Sequence, residues 1–357
     1  MRSFKCCSVL LLVLLVACEA PKTVQEEPVK IPIKVVVVTM FEAGEDTGDR
    51  PGEFQYWVER LPLDESIAFP QAWHDLRYNE ELGILGIVTG IGTAKSAASI
   101  MALGMDERFD LSKAYWVVAG IAGVDPEDAS VGSAAWAEWL IDGDLSHEID
   151  SREAPEDWTT GYIPLRLAEP YEQPLPERNE GSYYRLDPEL VEWAYQFTKD
   201  VPLSDNEEIS EMRAQYVNYP NAQKPPFVLK GDHLAAMTYW HGKVLNQWAN
   251  QWTEYWTQGQ GNYVTSAMED TGTAQSLEFL DKAGKVDKER FLVLRTASNY
   301  TMQYQGLTAA ESLAGEKLTG KGYSAYIPAL ESAYRVGSKV VLELAENWVQ
   351  YEDKTPK

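Results

Sequence analysis

The sequence predicts an α/β fold, in which a central sheet carries helices on both faces. Two strand-length runs, Ile33 to Thr39 and Leu82 to Thr89, are almost continuously apolar, as expected for strands that are covered on both sides. The second run leads through a glycine-rich turn into a segment of small residues, Thr93 to Leu103, which is predicted to be a helix capped by Thr93. Strands that alternate with helices in this way favour a sheet packed between helices.

The same alternation continues along the rest of the chain. Between about residues 150 and 225 the sequence is rich in Pro, Glu and Tyr, and it predicts one helix, Asp187 to Lys199, within long ordered loops that cover the body. An amphipathic helix is predicted over residues 327 to 350. No internal repeat is evident, and residues 31 to 357 are expected to form a single domain. The other predicted strands are Tyr115 to Ala119, Phe227 to Lys230, Tyr263 to Met268 and Arg290 to Thr296.

The charge of the chain limits its partners. Its 357 residues include 31 Lys and Arg against 55 Asp and Glu, a formal net charge of −24. A field of this sign repels phosphates, which argues against a general affinity for nucleic acid or for anionic membrane surfaces. One local site can still bind a small neutral or anionic ligand.

The N-terminus has the order of a bacterial lipoprotein signal. Arg2 and Lys5 precede an unbroken apolar run from Val9 to Ala17, which is too short for a permanent membrane helix. The run ends in Leu15-Val16-Ala17-Cys18, which resembles the lipobox whose cysteine is acylated and becomes the mature N-terminus. Residues 1 to 17 are thus predicted to be a signal peptide, Cys18 a lipidation site and residues 18 to 30 a tether.

The residue after Cys18 indicates which membrane holds the anchor. Glu19, rather than Asp, follows the cysteine, which favours the outer membrane by analogy with known lipoproteins. The body is therefore expected to face the periplasm at the cell envelope. The other cysteines, Cys6 and Cys7, leave with the signal peptide, so the mature chain is expected to have neither a disulfide framework nor a catalytic thiol.

Three glycine-rich turns are predicted where strands end, which is where open α/β sheets bind their ligands. The first, residues 40 to 45, contains Glu42. The second contains Gly90 and Gly92, and the third contains Gly120 and Gly123. Each set of glycines is equally explained by tight turns and close helix packing.

Two later segments add polar groups to the same edge of the sheet. Met268-Glu269-Asp270 follows an apolar strand, and a carboxylate there can accept two hydrogen bonds from a sugar diol. Thr296, Ser298 and Asn299 follow another strand, and an Asn amide can both donate to and accept from a purine edge. Alternatively, Glu269 is a charge at a helix N-terminus and Asn299 a turn residue.

The histidines do not predict a metal site. His241 follows Trp240, and the pair can position a ligand or simply pack in the core. His233 and His241 are the nearest pair in sequence, with no Cys and no His-x-x-x-His spacing around them. No metal and no cofactor are therefore expected, with phosphate as an optional co-substrate.

Taken together, these segments resemble the purine nucleoside permease family of fungi and bacteria over about Ile31 to Trp348. That family is distantly similar to nucleoside phosphorylases and nucleosidases, which implies a three-layer α/β/α sandwich with a mixed central sheet. The segments that carry the resemblance are 37–42, 88–92, 118–123, 239–242, 268–270 and 295–299.

The resemblance also implies roles for several residues. Met268 and Glu269 match a Met-Glu pair that holds the ribose and its hydroxyls, and Glu42 falls near a glutamate that activates water. Asn299 stands where bacterial-type enzymes keep an Asp that protonates the purine. The loop from Gly120 to Gly123 matches one under the base and the anion site, although the phosphate-gripping Arg of phosphorylases is missing upstream.

The resemblance thus leaves three classes of function open. The first is an enzyme that cleaves the N-glycosidic bond of a purine nucleoside, with Glu42 and Asn299 as its catalytic residues. The second is a protein that captures nucleosides and passes them to a separate transporter. The third is a structural envelope lipoprotein with a vestigial pocket. The substrate-binding candidates are Gly90, Gly92, Gly120, Gly123, Trp240, His241, Met268, Glu269, Thr296 and Ser298.

Overall fold

The structure, a computed structural model, describes residues 29–318 and 325–357. The predicted signal peptide and Cys18 lie outside the described residues, so the lipid anchor stays a prediction. Within the two described ranges, no helix combines the length and the apolar character that crossing a membrane requires.

The strands that make up the sheets are short, except for two of ten residues each. In chain order they are β1 (Ile31–Pro32), β2 (Val35–Thr39), β3 (Glu65–Ile67), β4 (Leu76–Asn79), β5 (Ile84–Val88), β6 (Phe109–Asp110), β7 (Tyr115–Val124), β8 (Ala134–Trp136), β9 (Trp139–Asp142), β10 (Ser146–Glu148), β11 (Tyr162–Pro164), β12 (Tyr183–Arg185), β13 (Val228–Lys230), β14 (Asp232–Ala235), β15 (Tyr263–Ala267) and β16 (Phe291–Tyr300).

The helices fall between these strands and after the last one. They are α1 (Gln55–Arg60), α2 (Thr93–Gly104), α3 (Pro188–Thr198), α4 (Glu207–Ala214), α5 (Lys243–Thr257), α6 (Asp270–Lys282), α7 (Ala309–Leu318), α8 (Tyr326–Glu346) and α9 (Trp348–Tyr351).

A mixed sheet of twelve strands forms the centre of the fold. Its main path runs β12-β9-β14-β15-β7-β2-β5-β4-β3, and β16 pairs with both β7 and β8. The strand β2 is parallel to its neighbours β5 and β7, and β7 is also parallel to β16. By contrast, β15 runs antiparallel to β7. β7 therefore joins both halves of the sheet, since its first half pairs with β2 and its last residues pair with β15.

Helices cover both faces of this sheet. On β16, Thr296 contacts α8, where its hydroxyl lies 2.9 Å from the Ala329 carbonyl oxygen. The neighbouring Arg295 reaches Asp270 at the start of α6. Because consecutive side chains of a strand point to opposite faces, α8 and α6 lie on opposite sides of the sheet. The predicted three-layer α/β/α arrangement is confirmed.

The strand predictions over residues 33–39 and 82–89 are confirmed as β2 and β5, both of which are buried along their whole length. The helix predictions for α2 and α3 are also confirmed, and the Asp187 side chain caps α3 by accepting from two backbone N–H groups. The predicted cap of α2 is wrong, because Gly92 is its N-cap and the Thr93 hydroxyl donates to the Met268 carbonyl oxygen at 3.0 Å. The C-terminal helix divides into α8 and α9.

One of the predicted turns is strand instead. Residues 120–123 continue β7, and Ser298 and Asn299, which were predicted to follow a strand, lie inside β16. Gly120 is needed there for close packing and not for a turn, because a Cβ atom would lie 2.6 Å from Glu53 Oε1 and 2.7 Å from Arg295 Nη1. The glycines of residues 120–123 thus concealed the full length of β7.

The segment from 150 to 225, expected to cover the body, is partly built into it. β12 pairs with β9 at one edge of the central sheet, and the buried side of α3 contributes Leu190, Val191 and Ala194 to the main core. None of these residues lines the cavity described below.

Candidate functional site

A cavity of about 110 Å³ opens at the carboxyl ends of β2, β5, β15 and β16. This is the edge at which the polar segments were predicted to meet. The loop after β14 closes one side of it through Tyr239. The lining residues are Met40, Phe41, Glu53, Ile91, Ile121, Ala122, Gly123, Tyr239, Ser266, Ala267, Met268, Glu269, Arg295, Ser298 and Asn299.

Glu53 is a buried carboxyl group at the bottom of this cavity. It precedes α1 and is only 5% exposed, and its two oxygens accept the backbone N–H groups of Met40 at 2.8 Å and Ile121 at 2.7 Å. Burial raises the pKa of Glu53 to about 8, with the Arg295 guanidinium opposing the rise and the Glu269 carboxylate adding to it. A carboxyl group with such a pKa can exchange a proton near neutral pH.

Glu42, the predicted water-activating residue, does not line the cavity. Its carboxylate accepts backbone N–H groups from Ala43 at 2.8 Å, from Phe54 at 3.0 Å, from Gln55 at 2.7 Å and from Gly52. These four donors use its acceptor capacity to hold the loop before α1 in place. Glu53 therefore replaces Glu42 as the candidate for acid–base work.

The predicted pair Met268 and Glu269 does line the cavity, at the end of β15. Glu269 is 4% exposed, and its Oε1 accepts the backbone N–H of Gly92 at 3.0 Å. Its Oε2 accepts from Arg295 Nη2 at 3.0 Å and from the backbone N–H of Met268 at 3.2 Å. These contacts fix the direction of the carboxylate and leave an acceptor position on Oε1 for a ligand.

Arg295 is the centre of a buried charge cluster. Its Nη2 donates to Asp270 Oδ2 at 2.6 Å as well as to Glu269, and its Nη1 donates to the Ile121 carbonyl oxygen at 3.0 Å. Behind it, His233 Nε2 lies 2.9 Å from Asp270 Oδ2. Although burial alone would raise it, the pKa of Asp270 is held below its usual range by Arg295 and His233. Asp270 is thus the permanent counter-ion of Arg295.

Asn299 lies at the other end of the cavity, with its side-chain amide held in one orientation. Nδ2 donates to the Tyr300 carbonyl oxygen at 3.2 Å and to the Tyr239 hydroxyl at 3.0 Å. The Ser298 hydroxyl lies 2.9 Å from Oδ1 and 3.1 Å from the Ala122 carbonyl oxygen, two acceptors that share its one proton. Because the carbonyl oxygen of Tyr300 can only accept, the amide nitrogen must face it.

An extra residue in β16 brings Ser298 and Asn299 to the same cavity. Ala297 pairs with Ala122 of β7, and the next pair joins Asn299 to Gly123, so Ser298 has no counterpart on β7. Such a β-bulge shifts the alternation of side chains by one residue. Two consecutive side chains therefore line one cavity, where a regular strand would turn one of them away.

Trp240 lines a recess that adjoins the cavity, together with Thr238, Gly123 and Thr301. Tyr239 and Asn299 belong to the linings of both spaces. The recess lies beyond the amide of Asn299, at the end away from Glu53.

Thr296 and His241 were predicted to bind substrate and lie outside the cavity lining. Thr296 points to the face of the sheet that α8 covers. His241 lies with its Nε2 3.0 Å from Ser312 Oγ on α7. Both side chains therefore make contacts within the fold and do not line the cavity.

The predicted glycines act mainly through their backbone. Gly90 and Gly92 adopt φ values of 90° and 101°, which favour glycine, in the turn before α2. Neither they nor Gly120 line the cavity, but the Gly92 N–H orients Glu269. Among the predicted glycines, Gly123 is the one that contributes to the lining.

Glu53, Tyr239 and Arg295 are among the cavity residues that sequence reasoning missed. They reach the cavity through loop placement and strand register. Tyr239 and Arg295 stood within segments 239–242 and 295–299, which carry the family resemblance, and this was the available signal. In the described ranges, no group of three or more His, Cys, Asp or Glu residues is arranged to hold a metal ion.

The fold is similar to that of solved nucleosidases. Futalosine hydrolase of Helicobacter pylori superimposes with a TM-score of 0.51 at 13% identity, over 87% of this chain and 98% of that chain. The 5'-methylthioadenosine/S-adenosylhomocysteine nucleosidase of Helicobacter pylori superimposes with a TM-score of 0.50 at 14% identity, over 87% of this chain and 99% of that chain. At this identity the likeness concerns the fold alone.

Sequence comparison gives a more specific result. A protein of Schizosaccharomyces pombe named as a probable purine nucleoside permease is 27% identical over 322 residues, 88% of this chain and 90% of that protein. The purine nucleoside permease of Candida albicans is 27% identical over 322 residues, 88% of this chain and 75% of that protein. The family model described as "Purine nucleoside permease (NUP)" matches residues 32–356, nearly all of the described chain, and the protein belongs to this family.

Proposed function

We propose that the protein binds a purine nucleoside in this cavity and hydrolyses its N-glycosidic bond. The observation that carries the proposal is Glu53, a cavity carboxyl group whose pKa is raised to about 8 by burial. A buried carboxyl group with a raised pKa, in the same cavity as the Glu269 carboxylate and the Asn299 amide, is suited to general base catalysis. In this role Glu53 takes a proton from the water that attacks C1′ of the ribose.

Glu269 is proposed to hold the sugar. Its carboxylate is oriented by Gly92, Met268 and Arg295, and its Oε1 can accept a hydrogen bond from the 2′ or the 3′ hydroxyl group. Met268 would pack against the sugar, and Asn299 would contact the purine. The developing positive charge on the ribose in the transition state is then stabilised by the carboxylates beside it.

Water is proposed as the attacking group instead of phosphate because of the cations that line the cavity. Arg295 is the one cation in the lining formed by the described residues. Its guanidinium already donates to Glu269, Asp270 and a backbone carbonyl oxygen. A phosphate ion bound here would lie beside two carboxyl groups, Glu53 and Glu269, without a cation of its own. Hydrolysis is therefore favoured over phosphorolysis.

A second candidate function is capture of nucleosides for a separate transporter. The observation that favours it is the amide of Asn299, which can bind a purine but cannot protonate it as a carboxylic acid does. In this case the body would be held by a lipid at Cys18, facing the periplasm from the outer membrane. The membrane anchor and the transporter belong to the proposal.

The test incubates the purified protein with inosine, adenosine and guanosine, with and without phosphate. Release of free base in both conditions is the expected result. Release that requires phosphate would contradict hydrolysis, and binding without any release would favour capture. Glu53→Gln should abolish release, whereas Glu107→Gln, which changes an exposed glutamate away from the cavity, should leave it unchanged.

A further inference from the structure

The hydroxyl group of Tyr239 occupies the end of the cavity where the purine is expected. Tyr239 lies in the loop between β14 and α5, and its side chain lines both the cavity and the adjoining recess. Its oxygen is 3.0 Å from Asn299 Nδ2. A base that contacts Asn299 must therefore also meet the Tyr239 hydroxyl.

The direction of this hydrogen bond follows from the fixed amide. Nδ2 of Asn299 faces the Tyr300 carbonyl oxygen at 3.2 Å, and this oxygen can only accept. Asn299 is consequently the donor toward Tyr239, and the phenol oxygen is the acceptor. The hydroxyl proton of Tyr239 must point away from Asn299.

In this arrangement the amide donates to the phenol oxygen that would lose its proton. Donation from an amide stabilises the negative charge that develops on a phenol oxygen as its proton leaves. The amide itself offers no acidic proton, and the position of the missing carboxylic acid is held by Asn299. Two cavity hydroxyl groups adjoin this amide, those of Ser298 and Tyr239, and a phenol is a stronger acid than an aliphatic hydroxyl.

We propose that Tyr239 is a catalytic residue that donates its phenolic proton to N7 of the departing purine. The proposal rests on the hydrolysis proposed above. As the C1′–N9 bond breaks, its electron pair passes to the purine, which takes the Tyr239 proton at N7. A water oxygen bonds to C1′ and gives its proton to Glu53. Solvent then carries this proton from Glu53 to the tyrosinate, so the products are ribose and neutral purine.

The test compares two substrates that differ in their need for this proton. Inosine requires protonation of its leaving base, whereas the base of 7-methylinosine is already cationic and carries a methyl group at N7. Tyr239→Phe retains the ring and removes only the hydroxyl group. The matched control is Tyr195→Phe on α3, which lies outside the cavity lining.

The expected result is a fall in kcat for inosine of roughly 100-fold, the lower part of the range for a lost general acid, with KM within about 3-fold. The kcat for 7-methylinosine should change by less than about 3-fold in the same variant. Tyr195→Phe should match the wild type on both substrates.

Other outcomes overturn the proposal. An equal loss on both substrates, or a rise in KM alone, would mean that Tyr239 only positions Asn299. No loss on inosine, or a wild type that cleaves only 7-methylinosine, would mean that Tyr239 supplies no proton. A wild type that cleaves neither substrate would instead contradict the hydrolysis itself.

Discussion

Backbone N–H groups give two nearby glutamates different tasks. Glu42 accepts four of them and organises a loop, whereas Glu53 accepts two and keeps room for a further partner. Both residues are glutamates, and the number of backbone N–H donors decides which carboxyl group has an acceptor position left for a substrate.

The pKa of Glu53 predicts how the activity depends on pH. A general base must be deprotonated, so kcat should rise about 10-fold per pH unit below pH 8 and level off above it. Initial rates of base release between pH 5.5 and 9.5 measure this profile, with the fold checked by circular dichroism at each pH. A rate that is constant over this range, or that falls toward alkaline pH, would contradict the role of Glu53.

Glu269 and Asn299 are expected to contribute differently to affinity. Losing the charged acceptor of a ribose hydroxyl group costs roughly 1.5–3 kcal/mol. Glu269→Ala should therefore weaken nucleoside binding by about 10-fold or more and leave binding of the free base nearly intact. Asn299→Ala should weaken the binding of both. Calorimetric titration with inosine and hypoxanthine distinguishes the two patterns, and equal effects of Glu269→Ala on both ligands would exclude the sugar clamp.

At the scale of elements, the site depends on the close approach of α2 and α6. Gly272 lies in the first turn of α6, and a Cβ atom there would overlap the carbonyl oxygen of Thr93 at the start of α2. The same two helix starts hold the Gly92 N–H against Glu269. The glycine thus sets the distance on which the orientation of the carboxylate depends.

Gly272→Ala should accordingly affect both stability and binding. Separating two packed helix starts is expected to cost about 1–3 kcal/mol of unfolding free energy and to weaken nucleoside binding. Gly315→Ala is the matched control, because Gly315 lies in α7 and no atom of the described residues lies within 4 Å of the new methyl group. Urea denaturation and inosine titration of both variants test this, and equal behaviour of the two would show that the helix starts can separate freely.

The elements also show what the sequence could predict. β2, β5, α2 and α3 were predictable because their apolar patterns are local. The lengths of β7 and β16 were not, because their pairing is long-range and, in β7, glycine in a strand has the same signature as glycine in a turn. Met268, Glu269, Ser298 and Asn299 were proposed from the sequence and line the cavity, whereas Glu53 and Tyr239 are placed there by loops whose course depends on the completed sheet.

At the scale of the whole molecule, the acidic charge and the predicted anchor act together. A formal charge of −24 opposes binding to anionic membrane surfaces, so stable attachment would require the lipid. The same charge disfavours nucleotides relative to uncharged nucleosides as ligands.

Replacing Cys18 by Ser should therefore release the protein from the membrane fraction without unfolding it. Fractionation of cells that produce the wild type or Cys18→Ser, followed by inosine binding in the released fraction, measures both properties. Ser8→Ala, which changes a residue of the predicted signal peptide away from the predicted lipobox, is the control. Membrane attachment that persists in Cys18→Ser would contradict the lipid anchor.

The bulge at Ser298 has a consequence for tracing the ancestry of the site. Ser298 is an extra residue of β16 that has no counterpart on β7. A relative that lacks this residue would therefore present a different side chain to the ligand without any substitution. Homologous strands of this family therefore have to be compared by their position relative to Gly123 and not by counting from Arg295. Insertion or deletion of one residue would change ligand recognition more abruptly than most point mutations, and new specificities can arise in this strand by a change of length.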